Sequence, residues 1–334
     1  MKNIFKATLI TTLALILILP CVFGVSARVN VTKEAAYKTF ESQQNAGYSL
    51  VYRIYVPADY DASKTYPVIL FLHGAGERGN DNNLQVNSTV QNLFNTRPEL
   101  LEQTIVVAPQ CPLNEQWVDY PWSKGNYSSD TVKESKALST AFEILSSVLG
   151  EYSCDTDRVY AMGLSMGGYG TWDMIVRHGD TFAAAVPLCG GGDASKADYL
   201  KNIPIWTYHG TADQTVRFKG TKAMVDAITA AGGEKIKFNA VEGAGHNIWT
   251  EATTNGELID WLFAQKLSDR MPKVEDTTVP DVQTEAPTTT EAPTTTTTGE
   301  DKGGCSGSAS VLAVPAAVML GAAVVLKKKK EDRA

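Results

Sequence analysis

The sequence predicts an α/β fold in which a mostly parallel sheet carries helices on both faces. Short apolar runs alternate with longer segments in which apolar residues recur every three or four positions, as in amphipathic helices. Runs such as VILFL and TIVVAP are apolar at consecutive positions, which is typical of strands buried on both faces of a parallel sheet. This alternation implies right-handed crossovers within one catalytic domain over residues 28–272.

Seven strands and four main helices are predicted in this domain. The strands are predicted, in chain order, at residues 50–56, 68–72, 104–108, 159–162, 182–188, 205–208 and 235–241. The helices are predicted at residues 135–152, 166–177, 218–231 and 257–266. Because functional groups collect at the carboxyl ends of parallel strands, we expect the chemistry in the loops that follow the strands.

The two ends of the chain differ in composition from the domain between them. Lysines, an apolar run and the residues VSA predict a signal peptide over residues 1–27. Residues 273–304 are rich in Thr, Pro and Glu and predict a disordered linker. An uncharged apolar run predicts a transmembrane anchor at residues 305–326, and four lysines predict a basic cytoplasmic tail at 327–334. This layout resembles the C-terminal anchors of Gram-positive cell-surface proteins and predicts an extracellular, membrane-anchored enzyme.

Charge and cysteine content exclude several classes of partner and site. The net charge of −7 argues against a nucleic-acid partner. Cys111, Cys154 and Cys189 are spaced unlike a metal site or a disulfide scaffold, so we expect them to be buried apolar residues. Neither a metal nor a cofactor is predicted. Cys305, at the start of the predicted anchor, is open to interpretation as a processing site or a lipid site.

A glycine-rich stretch, GLSMGGYG, lies between a predicted strand and a predicted helix. Its first five residues have the G-x-S-x-G spacing, which in a strand-to-helix position indicates a nucleophile elbow with Ser165 at the tip. The turn is so tight that large side chains beside the serine would collide, which explains Gly163 and Gly167. A glycine-rich helix start with an incidental serine is the competing interpretation, and the strand-helix context favours the nucleophile.

A serine hydroxyl needs a base to accept its proton and a carboxylate to hold that base. His246 follows the last predicted strand, where the chain order serine, acid, histidine places the base. We prefer Asp213 to Asp193 as the acid, because Asp213 lies in a tight turn after the second strand beyond the serine. The other histidines are expected to have structural roles: His73, His178 and His209.

Attack on a carbonyl creates an oxyanion, which requires two backbone N–H donors already in place. One donor is predicted at Met166, directly after the serine, and the other at Ala75 in the glycine-containing loop after strand 68–72, with Gly76 as the alternative. Glu77 and Arg78 in the same loop would recognise substrate or hold the loop in place, and the second role is favoured.

Aromatic side chains are concentrated in the segment QWVDYPWSKGNY. Trp117 and Trp122 are predicted to contact substrate, since aromatic rings stack on sugars and flat acyl groups. The alternative, that these rings together with Tyr120 and Tyr127 only anchor the segment to the domain, is equally open. Trp249 closely follows the predicted base, so we expect it near the substrate pocket.

Five segments carry a resemblance to a known family: FLHGAGERG, APQCP, GLSMGGYGTWD, HGTADQTV and GAGHNIW. Over residues 45–266 the chain resembles extracellular α/β-hydrolases of the phospholipase/carboxylesterase and feruloyl-esterase-like group. The resemblance implies the α/β-hydrolase fold and ester hydrolysis, and it supports the same catalytic triad and oxyanion donors: Ser165, Asp213, His246, Ala75 and Met166. It leaves the substrate open, because such relatives include esterases, depolymerases and peptidases.

The sequence therefore predicts a cell-surface serine carboxylesterase that forms an acyl-enzyme on Ser165 and acts on acetyl or feruloyl esters of plant polysaccharide. Two alternatives stay open. One is a serine peptidase with the same triad, although the sequence shows neither a propeller-like domain nor an acidic cluster for a peptide amino terminus. The other is a non-catalytic surface binding module on a hydrolase scaffold, which would not need the three side chains together.

Overall fold

An eight-stranded sheet forms the centre of the part of the chain that the computed structural model describes, residues 28–270. The strands are β1 Ala36–Glu41, β2 Ser49–Tyr55, β3 Tyr66–Leu72, β4 Ile105–Pro109, β5 Cys154–Leu164, β6 Ala184–Leu188, β7 Ile205–Gly210 and β8 Ile236–Val241. Their spatial order is β1-β2-β4-β3-β5-β6-β7-β8. β2 pairs antiparallel with β1 and β4, and all other neighbouring pairs are parallel. The prediction of a mostly parallel sheet is confirmed.

Helices cover both faces of this sheet. They are α1 Val31–Glu34, α2 Ser88–Thr96, α3 Pro98–Leu101, α4 Lys136–Glu151, α5 Met166–His178, α6 Ala197–Leu200, α7 Lys219–Ala230, α8 Trp249–Thr253 and α9 Gly256–Phe263. Alternate residues of β3 show why both faces need cover. Val68, Leu70 and Leu72 pack in the cluster that contains residues of α4, α5 and α7. Ile69 and Phe71 pack in the second cluster, with residues of α2 and α9.

The edge strand β1 is the one strand that the sequence analysis did not predict. Its sequence, AYKTFE, has no apolar alternation, and nearly all of it is exposed. The strand is held by pairing with β2 and by Arg53 of that strand, which is fully buried. Arg53 donates hydrogen bonds to the carbonyl oxygens of Ala35 and Thr32, and its guanidinium carbon lies 3.8 Å from the centre of the Tyr37 ring. Tertiary pairing, which local sequence does not reveal, therefore defines this strand.

Helix α2 is also absent from the predicted helices, although the sequence contains a signal for it. The Asn87 side chain accepts a hydrogen bond from the backbone N–H of Thr89, as an N-cap does. Val90, Leu93 and Phe94 then recur at helical spacing and are buried. A cap residue followed by this spacing marks the start of a helix.

The cysteines agree only in part with their predicted burial. Cys111 and Cys189 are buried, Cys154 is half-buried, and all three are free thiols. Within residues 28–270, no helix combines the length and the apolar composition needed to cross a membrane. The predicted signal peptide, linker, transmembrane anchor and basic tail all lie outside the described residues, as does Cys305.

We expect Leu70→Ala to lower the free energy of unfolding by about 2–5 kcal/mol, because it leaves a cavity at the centre of the sheet. Leu70 is fully buried. Leu113→Ala is the matched control, since the Leu113 side chain is 64% exposed, and its cost should stay within about 0.5 kcal/mol. Urea denaturation of the three proteins measures both values. Equal losses in the two variants would contradict this description of the core.

Candidate active site

Ser165 lies in the sharp turn between β5 and α5. Its φ of 56° and ψ of −117° lie in a region that non-glycine residues rarely adopt. The Ser165 N–H donates a hydrogen bond to the carbonyl oxygen of Leu188 at 2.9 Å, which ties the turn to the end of β6. Strained backbone of this kind is found mainly where the surrounding structure holds a functional group in place.

Two glycines allow the turn to pack against the end of β3. A methyl group on Gly167 would lie 1.9 Å from the carbonyl oxygen of Leu72, and one on Gly163 would lie 2.4 Å from the carbonyl oxygen of Gly167. Both distances are far below van der Waals contact with a backbone atom. The structure therefore requires glycine at both positions that flank the serine in the G-x-S-x-G motif.

The structure brings the three predicted triad residues together. Ser165 Oγ lies 2.8 Å from Nε2 of His246, and Nδ1 of His246 lies 2.6 Å from Oδ2 of Asp213. Asp213 follows β7 and His246 follows β8, so the three residues come from the carboxyl ends of three different strands. An ionised carboxylate only accepts hydrogen bonds, which leaves Nδ1 as the donor and Nε2 free to accept the serine proton. This arrangement can deprotonate a serine hydroxyl.

The Asp213 carboxylate is buried and accepts several hydrogen bonds. Oδ1 accepts from the backbone N–H groups of Thr215 at 2.8 Å and Val216 at 2.9 Å. Oδ2 lies 2.6 Å from His246 and also 3.1 Å from Nε2 of His209. These donors offset the cost of burying the charge. The sequence predicts only a structural role for His209 and does not indicate this contact with Asp213.

Asp193, the alternative acid, forms its hydrogen bonds with two serines outside the triad. Its Oδ1 accepts hydrogen bonds from the N–H and hydroxyl of Ser195, and its Oδ2 accepts from the N–H and hydroxyl of Ser129. Burial alone would raise the pKa of Asp193, but these four bonds outweigh it and lower the pKa. Asp193 therefore caps a turn and holds a loop, and it contacts no histidine among the described residues.

Several backbone N–H groups near Ser165 have no acceptor within residues 28–270. They include those of Met166, the first residue of α5, and Ala75, which begins a short 3₁₀ turn after β3. The N–H of Gly76, the alternative donor, is also without an acceptor within these residues. A methyl group built on Gly74 would lie 3.6 Å from Ser165 Cβ, which shows how closely this loop approaches the serine. Both predicted donors thus belong to segments that adjoin Ser165.

The side chains of Glu77 and Arg78 hold their own loop, as the sequence analysis favoured. Arg78 Nε donates to the Ala75 carbonyl oxygen at 2.9 Å, and Nη1 donates to the Glu115 carbonyl oxygen at 3.2 Å. Oε1 of Glu77 accepts a hydrogen bond from Asn87 Nδ2 at 3.1 Å, and burial raises the pKa of Glu77. These contacts fix the backbone on which the Ala75 N–H is carried.

His73 also stabilises the loop that carries Ala75, through hydrogen bonds made by both of its ring nitrogens. Its Nε2 accepts the backbone N–H of Cys111 at 2.9 Å, so Nδ1 carries the proton and donates to the Gly74 carbonyl oxygen at 2.6 Å. Burial lowers the pKa of His73 to about 4. The ring is therefore neutral near pH 7 and serves as a fixed link between two loops.

The structure contradicts one of the three predicted substrate contacts. Trp117 is fully buried, and its indole N–H donates to the His73 carbonyl oxygen at 3.0 Å. The prediction of substrate contact is wrong for this residue, because an indole buried in the core beside α5 cannot reach a ligand. Trp122 is half-buried and lines a narrow crevice beside Met166. Trp249 lies edge-on to the ring of His246, with the two ring centres 5.4 Å apart.

We expect the stability of the protein to fall as the pH drops from about 6.5 to 4, in part because of His73. The unfolded chain binds a proton on this histidine near its ordinary pKa of about 6.5, whereas the folded chain binds it only near 4. The stabilisation is complete above the higher value and decreases by about 3 kcal/mol across the interval. Urea denaturation at pH 7 and near pH 4.5 should show a smaller pH-dependent loss in His73→Asn than in the wild type. Parallel losses in the two proteins would contradict the burial of a neutral His73.

A family model and one curated protein match this chain. Residues 44–269 match the family described as "Putative esterase". The bifunctional acetylxylan esterase/xylanase XynS20E of Neocallimastix patriciarum is 27% identical over 180 residues, which is 54% of this chain and 23% of that relative. The match thus spans less than a quarter of the relative's length.

Solved structures share the fold. A thermostable esterase is 35% identical, with a TM-score of 0.64 over 71% of this chain and 64% of its own. A ferulic acid esterase is 18% identical, with a TM-score of 0.53 over 69% of this chain and 97% of its own. A mutant of the feruloyl esterase module from Clostridium thermocellum, complexed with sinapinate, is 16% identical, with a TM-score of 0.51 over 69% and 88%. The last two show the fold alone. With an α/β-hydrolase-type fold and a family match over residues 44–269, the chain belongs to the esterase family.

Proposed function

We propose that the protein is a serine hydrolase that cleaves carboxylic esters through an acyl-enzyme on Ser165. The observation that carries this proposal is the hydrogen-bonded series from Ser165 through His246 to Asp213. Membership of the esterase family supports the reaction class. The unpartnered N–H groups of Met166 and Ala75 supply the donors that ester cleavage requires.

In the first half-reaction, His246 Nε2 accepts the hydroxyl proton as Ser165 Oγ attacks the ester carbonyl carbon. The carbonyl oxygen becomes an oxyanion, which the N–H groups of Ala75 and Met166 stabilise. Asp213 holds Nδ1 of His246 and stabilises the imidazolium that forms. When the oxyanion collapses, the bond to the alcohol oxygen breaks, and His246 returns the proton to that oxygen.

The second half-reaction releases the acid. A water molecule gives a proton to His246 and attacks the acyl carbonyl carbon, again forming an oxyanion between the two N–H donors. Collapse breaks the bond to Ser165 Oγ, which takes the proton back from His246. The products are a carboxylic acid and free enzyme, and no further reactant is needed.

For the substrate we propose esters of a short acyl group on plant polysaccharide, with acetyl ahead of feruloyl. Trp122, Tyr120 and Gln116 lie close together beside Met166 and restrict the space next to this proposed oxyanion donor, which favours a small acyl group. The half-buried rings of Trp122 and Trp249 lie near the catalytic triad and offer faces on which sugars stack. The match to a protein named as an acetylxylan esterase/xylanase supports the same choice.

We also propose that the enzyme works outside the cell. The predicted signal peptide at residues 1–27 supports export, and the predicted linker and anchor at residues 273–326 support attachment to the cell membrane. A polysaccharide substrate, which does not enter cells, suits that location.

The acid of the triad can be tested against a matched aspartate. We expect Asp213→Asn to lower kcat/KM for p-nitrophenyl acetate about 10³- to 10⁴-fold, because the amide favours the wrong tautomer of His246. Ser165→Ala should lose at least as much. Asp193 is similarly buried, so Asp193→Asn controls for buried charge and should keep kcat/KM within a few-fold. Loss of activity in Asp193→Asn alone would contradict the assignment.

The substrate class can be tested with a panel of p-nitrophenyl acetate, methyl ferulate, acetylated xylan and an amide with a matched acyl group. We expect acetyl esters to react fastest and the amide not to react. Trp122→Ala should raise the ratio of ferulate to acetate turnover several-fold, because it opens space beside Met166. Trp261→Ala on α9 is the matched control and should leave the ratio unchanged.

The panel also separates the alternative functions. Faster turnover of the amide than of the ester would favour a peptidase. A folded wild-type protein that cleaves none of the four substrates would contradict the esterase proposal and favour a surface binding module.

A further inference from the structure

A second histidine contacts the carboxylate that holds His246. His209 is fully buried at the end of β7. Its Nε2 lies 3.1 Å from Oδ2 of Asp213 and 2.9 Å from the carbonyl oxygen of Val216. The same Oδ2 lies 2.6 Å from Nδ1 of His246. One carboxylate oxygen thus lies between two imidazole rings.

The neighbours of His209 determine which of its nitrogens carries the proton. The carboxylate oxygen of Asp213 and the carbonyl oxygen of Val216 are both acceptors, so Nε2 must be the donor. Burial lowers the pKa of His209, which keeps the ring neutral and leaves Nδ1 as an acceptor. The hydroxyl of Thr221 on α7 lies 2.7 Å from Nδ1 and also within hydrogen-bond distance of the Gly190 carbonyl oxygen, so its one proton is available to either acceptor.

Packing fixes the ring as well as its proton. The edge of the His209 ring meets Phe218, with the ring centres 5.8 Å apart. A methyl group on the adjacent Gly210 would lie 2.2 Å from the carbonyl oxygen of Gly245, the residue before His246. The end of β7 therefore contacts both the carboxylate and the loop that carries the base.

We propose that His209 is a positioning residue for the triad: it donates a second hydrogen bond to Oδ2 of Asp213, fixes the carboxylate and limits how strongly that oxygen binds the His246 proton. This inference rests on the proposed function of Ser165 and His246. Without the second donor, Oδ2 would interact more strongly with the proton on His246 Nδ1 and stabilise the imidazolium. The base would then stay protonated, and hence inactive, to a higher pH.

Within residues 28–270, the other titratable groups that interact with this carboxylate are the Cys189 thiol after β6 and the Tyr169 phenol on α5. Burial raises the pKa of both groups well above their usual ranges. They stay neutral across the pH range of a hydrolase assay and do not move the acidic limb of its pH profile.

The test uses His209→Leu, which removes the donor, and His209→Gln, which keeps an N–H donor. The readouts are the pH dependence of Ser165 labelling by a fluorophosphonate probe, and kcat and KM for p-nitrophenyl acetate. We expect His209→Leu to lower the labelling rate and kcat about 10- to 100-fold with little change in KM, and to move the acidic limb to higher pH. His209→Gln should restore the wild-type pH dependence at the acidic side, together with most of the labelling rate and kcat.

Thr207→Val is the matched structural control. Thr207 lies on the same strand and is fully buried, and its hydroxyl donates to the Pro187 carbonyl oxygen at 2.5 Å. This variant should lose stability but keep the pH profile. An unchanged acidic limb in His209→Leu, or a His209→Gln variant that behaves like His209→Leu, would overturn the positioning role.

Thr221→Val keeps the inference testable if His209→Leu fails to fold. It removes the hydroxyl at Nδ1 with little change in shape, and it should move the acidic limb in the same direction by a smaller amount. An unchanged limb would overturn the role. A wild-type protein that is labelled no faster than Ser165→Ala would instead overturn the proposed function, which separates the two failures.

Discussion

The positive φ of Ser165 is held by contacts between backbone segments, and the geometry of the site depends on them. A non-glycine residue in such a region costs about 1–3 kcal/mol, so the neighbouring structure must offset that cost. The Ser165 N–H is bonded to the end of β6, and Gly167 lies against the end of β3 with no room for a methyl group. The serine is therefore placed by the central strands of the sheet, which are the most deeply buried part of the fold.

Asp213 and His246 are placed by backbone hydrogen bonds between the two loops that carry them. The N–H of Thr211 donates to the Val241 carbonyl oxygen at 3.0 Å, and the N–H of Ala212 donates to the Ala244 carbonyl oxygen at 2.9 Å. These bonds connect the loop of Asp213 to the loop of His246 independently of the side chains. The carboxylate and the imidazole thus meet in an arrangement that is already ordered, and preorganised polar groups are the main source of transition-state stabilisation in enzymes.

The pattern of apolar residues in the sequence predicts the parts of the structure that depend on interactions close together in the chain. The central strands were predictable because they are apolar on both faces, and Ser165, Asp213 and His246 could be brought together because parallel strands end at one edge of the sheet. The edge strand β1 was not predictable, since pairing with β2 defines it. Trp117 and His209 show a second limit. Their roles depend on the direction of each side chain, toward the His73 carbonyl oxygen and the Asp213 carboxylate respectively, and composition carries no information about direction.

The most direct measurement is a crystal structure of the protein after reaction with a p-nitrophenyl phosphonate ester, whose adduct mimics the tetrahedral intermediate. We expect a phosphorus atom bonded to Ser165 Oγ and a phosphonyl oxygen about 3 Å from the backbone nitrogens of Ala75 and Met166. His246 Nε2 should remain within hydrogen-bond distance of the adduct. Phosphorus bonded to any other residue, or a phosphonyl oxygen directed away from both nitrogens, would contradict this expectation.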